Sequence, residues 1–273
     1  MIQLNTNKQS TYIYTTMSSN IVFVSAFRDI GRSNWAAQTR STSDYINYFL
    51  RLASNIQHQL VVFVDDATFS ALSKHGFRPS IIFKPITSVN TFYDKYLERD
   101  KEIINSAEYK NKIPDSRKEH AEHLYSEYNF INHSKINFIR ETQRQYPTYD
   151  FYSWIDFGFA RDISMLPRGI NCLKLPNKMI CHCIKNPQEN AAVDANAMLA
   201  SFDIYITGGT FIMHSSLVAT FEYLYENKIQ EWQQNNITDD DQNLMLQLYY
   251  DNPHMFHLVQ SDEWFSLYKV LSS

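Results

Sequence analysis

The stretch that most constrains the fold covers residues 149–159 and reads YDFYSWIDFGF. It is a short, aromatic and apolar run that ends on Asp156 and then Gly158, which is typical of a strand buried on both faces of a largely parallel sheet. Ligands of open α/β sheets bind just beyond the carboxyl ends of such strands. Asp156 is therefore a candidate to hold a metal or a polar ligand, and the alternative is an aspartate that caps the next turn.

The first half of the chain alternates buried strands with helices. Strands are predicted at residues 21–27, 60–64 and 80–83, with helices beginning near Ser41 and Thr68. This order predicts an α/β fold with a mostly parallel central sheet flanked by helices. The loop at residues 28–32 (RDIGR) follows the first strand and carries two arginines and a glycine, where a phosphate could bind.

The second half of the chain is of mixed character. After a helical insertion at residues 88–130 and a helix at 134–145, residues 179–184 alternate like an antiparallel strand. A helix is predicted at 191–201, and the strand predicted at 203–213 contains Gly208 and Gly209, which suggests close approach of another molecule. Helices follow at 217–232 and after Thr238, the predicted N-cap. A short strand at 253–259 and an aromatic helix end the chain.

The predicted domain organisation is a polar leader at residues 1–20 and a single domain at 21–273. Within that domain, residues 21–160 and residues 161–273 are predicted to be two halves. At 273 residues, the chain is long enough to bury a sizeable core in either one domain or two packed halves.

Composition excludes several classes of protein. A net charge of −4 and a pI near 6.1 argue against a broad nucleic-acid-binding surface, although a local basic pocket for a phosphorylated small molecule stays open. No stretch approaches the ~20 apolar residues of a membrane span. The polar first twenty residues lack the features of a secretory signal, and three cysteines fit reduced thiols, so a cytoplasmic location is expected.

Acidic residues gather at three element ends, namely Asp65-Asp66, Asp156 and Asp239-Asp240-Asp241. Helix dipoles favour acids at helix starts, but three in one turn repel one another, and a metal or a hydroxyl substrate would relieve that repulsion.

Histidines are the other candidate ligands. His120 and His123 have a spacing that can hold a metal, but a solvated polar helix face is the favoured interpretation. His254 and His257 lie in or near the last strand, where a histidine could complete a site begun by Asp156. The single Cys-His-Cys at residues 181–183 is not expected to bind zinc, because alternation along a strand sends its side chains to opposite faces.

The spacing of these motifs resembles the HtrL/YibB family of bacterial and viral proteins, and more broadly the glycosyltransferases of the GT-A type. The resemblance covers about residues 20–260. The residues that carry it are Ser25, Ala26, Phe27, Asp29, Ile30, Gly31, Arg32, Trp35, Trp154, Ile155, Asp156, Phe157, Gly158, Phe159, Thr207, Gly208, Gly209, Asp240, Asp241 and Gln242.

The resemblance implies a GT-A-like fold and a metal-dependent glycosyltransferase, with residues 21–160 as the nucleotide-binding half and residues 161–273 as the acceptor half. Enzymes of this type place an Asp-x-Asp at the central strand, of which this chain keeps Asp156 and has Gly158 in the second position. The implied metal ligands are Asp156 and His257, with His254 as the alternative histidine, and the implied cofactor is Mn²⁺ or Mg²⁺.

The implied reaction moves a sugar from a UDP- or GDP-sugar donor to a glycan or glycoprotein acceptor, with retention or inversion left open. Candidate catalytic residues are Asp240, Asp241 and Gln242. Candidate donor-binding residues are Ser25, Ala26, Phe27, Arg32, Asp65, Lys135, Gly208 and Gly209. For Lys135, which lies on the helix predicted at 134–145, surface solvation is the alternative.

Two other functions fit the same pattern. A nucleotidyltransferase shares the sheet and the metal carboxylate, but the Gly-rich basic loop usual early in such chains is absent. A nucleotide-sugar-binding protein without catalysis would fit the missing second aspartate.

Overall fold

The structure is a computed structural model that describes residues 20–36, 39–167, 169–189, 194–201 and 203–272. Within these ranges the strands form one seven-stranded sheet. Their bounds are Ile21–Phe27 (β1), Gln59–Val64 (β2), Ile81–Pro85 (β3), Phe151–Ile155 (β4), Met179–Cys183 (β5), Ile206–His214 (β6) and Phe256–Gln260 (β7).

Helices of very different length cover the sheet. Their bounds are Thr42–Asn55 (α1), Asp66–Leu72 (α2), Phe92–Asn105 (α3), Ala107–Lys112 (α4), Ser126–His133 (α5), Lys135–Gln145 (α6), Ala195–Ala200 (α7), Val218–Gln234 (α8), Asp241–Asp251 (α9) and Leu267–Leu271 (α10). No helix in the described part of the chain is both long enough and apolar enough to cross a bilayer.

The strand order is β3-β2-β1-β4-β6-β5-β7. Strands β1 to β4 run in one direction, and β6 pairs antiparallel with both β4 and β5, so β5 and β7 again run with the first four. The prediction of an α/β fold is confirmed: the central sheet is mostly parallel, is flanked by helices and is mixed in its second half.

The strand predicted at 179–184 from its antiparallel-like alternation is β5, which pairs antiparallel with β6 and parallel with β7. All five residues of β5 are buried, so its alternation of residue types does not mark a solvent-facing side. The buried His182 lies within hydrogen-bonding distance of the hydroxyls of Thr207 and Ser266, which makes its burial tolerable.

Two apolar clusters cover the two faces of the sheet. Alternate residues of β1 point to opposite clusters, with Val22 and Val24 in one and Ile21 and Phe23 in the other. Helices α3 to α6, α8 and α9 contribute to the first cluster, whereas α1 and α10 contribute to the second. A strand with both faces covered reads as a continuous apolar run, which explains why β1, β2 and β4 were recognisable from the sequence.

The helical insertion predicted at residues 88–130 corresponds to α3, α4 and most of α5. Its apolar side chains belong to the larger cluster, including the fully buried Phe92 and the nearly fully buried Phe130. The insertion is therefore part of the packed core. The division of the domain into two halves stays a prediction.

The start of α9 differs from the sequence prediction. Asp240, and not Thr238, is the N-cap, because the Asp240 carboxylate accepts from the backbone N–H of Gln242 at 3.0 Å. The Thr238 hydroxyl donates instead to the buried Asp100 carboxylate. A tertiary hydrogen bond thus takes the side chain that local propensity assigns to the cap.

At the start of α1, Ser41 and Asp44 form a capping box. The Ser41 hydroxyl accepts from the Asp44 N–H, and the Asp44 carboxylate accepts from the Ser41 N–H, both at 3.1 Å. We expect Ser41→Ala to lower the free energy of unfolding by about 1 kcal/mol, measured by urea denaturation. The control is Ser54→Ala on the exposed face of the same helix, which we expect to be neutral or slightly stabilising. Equal stability of both variants would show that the cap contributes nothing.

Candidate active site

A cavity of about 310 Å³ opens at the edge of the sheet where β1 and β4 end. Because β6 is antiparallel, its amino end lies at this same edge and also lines the cavity. Residues at the starts of α6 and α9 also line the cavity. Residues from these segments that line the cavity are Ala26, Phe27, Arg28, Asp29, Ile30, Arg32, Lys135, Asp156, Phe157, Gly158, Arg161, Gly208, Gly209, Asp241 and Gln242. Its size is at the lower end of the range for small-molecule sites.

A buried ammonium group links four of these elements. Lys135 Nζ donates to Asp241 Oδ2 at 2.7 Å and to the Gly208 carbonyl oxygen at 2.8 Å, and it lies 3.4 Å from Asp156 Oδ1. Only 5% of the Lys135 side chain is exposed. The alternative of a solvated Lys135 is therefore wrong, because its side chain is buried and lines the cavity.

The charge of Lys135 is stable in this position. Burial alone lowers the pKa of Lys135, but the carboxylates of Asp156 and Asp241 outweigh burial, and the net pKa lies above its usual value. The group therefore stays protonated at neutral pH. It balances one of the two carboxylates and leaves the set of three groups with a net charge of about −1.

Asp156 is held at one oxygen and open at the other. Its backbone N–H continues the β4–β6 ladder to the Gly209 carbonyl at 3.0 Å, and Oδ1 accepts from Trp154 Nε1 at 2.8 Å. Oδ2 accepts no hydrogen bond from any residue that the structure describes, and 37% of the side chain is exposed. One carboxylate oxygen is thus available to a ligand in the cavity.

The two glycines of β6 make room for these carboxylates. A β-carbon on residue 208 would lie 2.4 Å from Asp241 Oδ2, a distance that no real contact shows. A β-carbon on residue 209 would lie 3.4 Å from Asp156 Oδ2 and 3.2 Å from the Phe265 ring. The pair was predicted to allow close approach to a strand. At Gly208 the group that approaches is the protein's own Asp241.

Four arginines surround the cavity, namely Arg28, Arg32, Arg40 and Arg161. Arg32 donates to the Tyr45 hydroxyl at 2.8 Å and lies over the Trp35 ring. Arg161 donates to the Gly158 carbonyl at 3.3 Å, and burial followed by the nearby Arg40 lowers its pKa. Cations held close together by rings and carbonyls form a site for a multiply charged anion.

The start of α9 contributes residues of two kinds. Asp241 and Gln242 line the cavity, whereas Asp240 lies behind them as the buried N-cap. Burial, together with neighbouring Asp239 and Asp241, raises the pKa of Asp240 well above its usual value. The Gln242 side chain donates to Asp240 Oδ2 at 3.0 Å, and its Oε1 has no hydrogen-bond partner among the described residues. Gln242 therefore has an unsatisfied acceptor next to the cavity.

Two of the predicted donor-binding residues lie just outside the cavity. Ser25 is fully buried one residue before Ala26. Asp65 caps α2 and accepts from the Asp29 N–H at 3.1 Å, so it supports the loop after β1 from behind. Asp29 lines the cavity in its place, with its carboxylate accepting from the Gly31 N–H and the Thr42 hydroxyl.

The structure does not bring His257 to Asp156. His257 pairs with Ile180, which pairs with Ile212 and then with Ser153, so it lies three strands away from β4. At about 4.8 Å between strands and about 3.3 Å per residue, the offset from Asp156 is about 14 Å across the sheet and about 10 Å along it. A shared metal would require about 2 Å to each ligand. The alternative His254 precedes β7 and lies farther back.

The residues at the cavity fit a divalent cation held by one carboxylate. Asp156 offers the free Oδ2, while both oxygens of Asp29 accept hydrogen bonds and Asp241 is bound to Lys135. Mg²⁺ and similar ions commonly take one or two carboxylates and complete their shell with water and substrate phosphates. The donor set is therefore adequate only when a phosphate ligand is present.

Sequence reasoning did not identify several residues of the cavity. Arg161 could have been found, because it follows Asp156 by five residues in the loop after β4. Trp264 and Phe265 also line the cavity, and nothing in their local sequence indicated it, since they come from the segment between β7 and α10. Tyr128 of α5 is the same case, because only the packing of α5 places it there.

Comparisons with known proteins identify relatives along nearly the whole chain. A family model described as "Bacterial protein of unknown function (HtrL_YibB)" matches residues 19–273. "Protein HtrL" of Escherichia coli (strain K12) is 23% identical over 275 residues, which cover 94% of each chain.

Two solved structures are similar in fold. Mouse xyloside xylosyltransferase 1, in its apo form, has a TM-score of 0.42 at 10% identity over 88% of this chain and 84% of that chain. A glycosyltransferase involved in the glycosylation of the major capsid of PBCV-1 has a TM-score of 0.38 at 11% identity over 89% and 82%. Both likenesses are distant.

The Lys135 ion pair gives a prediction for stability. Lys135→Met leaves the Asp241 carboxylate buried without its cation, so we expect the free energy of unfolding to fall by about 3–5 kcal/mol in urea denaturation. In that background, Asp241→Asn should restore part of the loss, because the amide has no charge to leave unpaired. The matched control is Lys95→Met, whose partner Glu226 is partly exposed and whose loss should cost less than about 1 kcal/mol. If the losses in free energy of unfolding caused by Lys135→Met and Asp241→Asn were additive, the two residues would not form a stabilising ion pair.

Proposed function

The chain belongs to the HtrL_YibB family, whose description leaves the function open, and we propose that it is a metal-dependent glycosyltransferase. The proposed reaction moves a sugar from a nucleoside diphosphate donor to a hydroxyl acceptor. The observation that carries the proposal is the cavity at the carboxyl end of β4. There, Asp156, whose side chain is 37% exposed and whose Oδ2 accepts no hydrogen bond from any described residue, lines the same cavity as four arginines and two glycines.

The arginines are the proposed diphosphate site. A diphosphate carries several negative charges, and guanidinium groups bind phosphate oxygens through paired N–H donors. Arg32 and Arg161 are each oriented by a hydrogen bond to the protein, so they are positioned before the ligand arrives. The end of β1 contributes Ala26 and Phe27 to the same cavity, and we place the nucleoside beside them.

Asp156 is the proposed metal ligand. A divalent cation bound there would neutralise the negative charge that develops on the departing diphosphate. Lys135 and Trp154 hold Oδ1 in place, so the open Oδ2 is aimed at the cavity. We assign no metal role to His257, because its offset across the sheet is too large.

The remaining groups divide into substrate contacts and a positioning pair. Gln242 is the proposed contact to a sugar hydroxyl, because its side chain lines the cavity and its buried Oε1 has no hydrogen-bond partner among the described residues. Asp241 and Lys135 position the carboxylates, since the ion pair already uses the Asp241 charge. Asp240 acts one step further away, as the cap that orients Gln242.

We expect Asp156→Asn to weaken the Mn²⁺-dependent binding of a UDP- or GDP-sugar, because an amide oxygen is a poorer ligand than a carboxylate. Turnover should fall by at least ~10²-fold. The measurements are thermal shift with and without Mn²⁺, and release of nucleoside diphosphate. The control is Asp162→Asn, an exposed aspartate on the same loop that does not line the cavity.

Three outcomes separate the alternatives. Binding without any turnover, with or without acceptor, would identify a nucleotide-sugar-binding protein. Release of pyrophosphate from a nucleoside triphosphate would identify a nucleotidyltransferase. An unchanged Asp156→Asn protein would remove Asp156 from the site altogether.

A further inference from the structure

Outside the cavity, three potential metal ligands converge in the protein interior. One ligand atom each from Glu122, His123 and Asp239 lie within 4.8 Å of one another. None of the three residues lines the cavity. Glu122 and His123 belong to a single 3₁₀ turn, Ala121–His123, and Asp239 immediately precedes the N-cap of α9.

His123 was expected on a solvated helix face, and the structure shows it buried. Its side chain is 2% exposed, and its Nε2 has no hydrogen-bond partner among the described residues. Nε2 lies 3.9 Å from Glu122 Oε1. A polar atom buried without a partner is costly unless a ligand is bound there.

The hydrogen bonds of Tyr109 determine which ring nitrogen of His123 carries the proton. The Tyr109 hydroxyl donates its single hydrogen to the Thr238 carbonyl at 2.8 Å, so the Nδ1 of His123, also at 2.8 Å, must donate to the Tyr109 oxygen. Nε2 therefore presents a lone pair to the two carboxylates, which is the form of histidine that binds metals.

The local charge is also incomplete. Arg117 is the cation next to the cluster, with NH2 3.1 Å from Glu122 Oε1 and 3.8 Å from Asp239 Oδ2. Its NH1 donates to the carbonyls of residues 198, 199 and 201, and these hydrogen bonds fix the guanidinium beside the cluster. Arg117 is thus the one Lys or Arg side chain among the described residues that forms an ion pair with either carboxylate of the cluster.

We propose that Glu122, His123 and Asp239 form a structural metal site for Zn²⁺, separate from the cavity. One imidazole nitrogen and two carboxylate oxygens suit Zn²⁺, whose bonds to such atoms are about 2.0–2.2 Å long. Tetrahedral bonds of that length place the ligand atoms about 3.4 Å apart. The observed atoms lie within 4.8 Å of one another, so zinc binding requires them to move closer together. His120, with Nδ1 3.2 Å from Glu122 Oε1, is the candidate for the fourth position.

The site ties the insertion to the start of α9. The 3₁₀ turn that holds Glu122 and His123 belongs to the segment between α4 and α5, and Asp239 stands two residues before Asp241. A bound metal would connect the two segments and so stabilise the turn from which Asp241 and Gln242 reach the cavity.

The test is zinc binding to protein that has been stripped with EDTA, without any nucleotide present. When Zn²⁺ is added back and the excess is removed by desalting, we expect the wild-type protein to retain about one Zn²⁺ per chain. We also expect it to melt at a higher temperature with Zn²⁺ than without it. Asp156→Asn should behave like wild type, whereas His123→Gln should lose at least tenfold in zinc affinity. Failure of the proposed glycosyltransferase activity would leave these results unchanged.

The outcomes that overturn the proposal are clear. They are no stoichiometric zinc in the wild type, equal retention by His123→Gln, or loss of zinc in Asp156→Asn. If His123→Gln does not fold, Glu122→Gln replaces it, because its amide oxygen can still accept from Arg117. X-ray absorption of zinc-loaded wild type should then show only nitrogen and oxygen neighbours, and a sulfur shell at about 2.3 Å would assign the zinc to cysteines and refute the site.

Discussion

The site depends on one buried cation. Lys135 brings the ends of four elements to a single point, because its ammonium group contacts Asp241 of α9, Gly208 of β6 and Asp156 after β4, while its own backbone begins α6. Burying the charges of Lys135 and Asp241 is unfavourable unless they are paired and hydrogen-bonded. Their pairing therefore holds the starts of β6 and α9 against the start of α6 and the end of β4.

The surroundings of this cation follow from the same constraint. Gly208 must lack a side chain, since the Asp241 carboxylate takes that space. The turn before α9 is held from behind as well, because His133 donates to the Asp239 carbonyl and Tyr109 to that of Thr238. Burial lowers the pKa of His133 to about 3, so this support stays neutral. The proposed substrate contact, Gln242, thus projects from a turn fixed on several sides.

The sequence predicted those features of the fold and the site that depend on short local patterns. Apolar runs identified β1, β2 and β4, and the carboxyl-end rule placed Asp156 and Arg32 at one edge of the sheet, where both line the cavity. The glycine pair of β6 was predicted to mark a close approach and lines the same cavity. Sequence reasoning failed where tertiary contacts decide. Local sequence does not indicate the burial of Lys135 and His123. It does not indicate the register that separates His257 from Asp156, nor the Thr238–Asp100 hydrogen bond that moves the cap of α9. All of these depend on contacts with distant parts of the chain. Nothing in the local sequence of Trp264 and Phe265 indicates their position at the cavity.

The most direct test of the account is a crystal structure with Mn²⁺ and a nucleoside diphosphate, with manganese located by its anomalous scattering. We expect a manganese peak at coordination distance from Asp156 Oδ2, bridged to a diphosphate that contacts Arg32 or Arg161, with Lys135 still bound to Asp241. A diphosphate bound elsewhere, or a cavity in which no manganese lies beside Asp156, would contradict the proposed site.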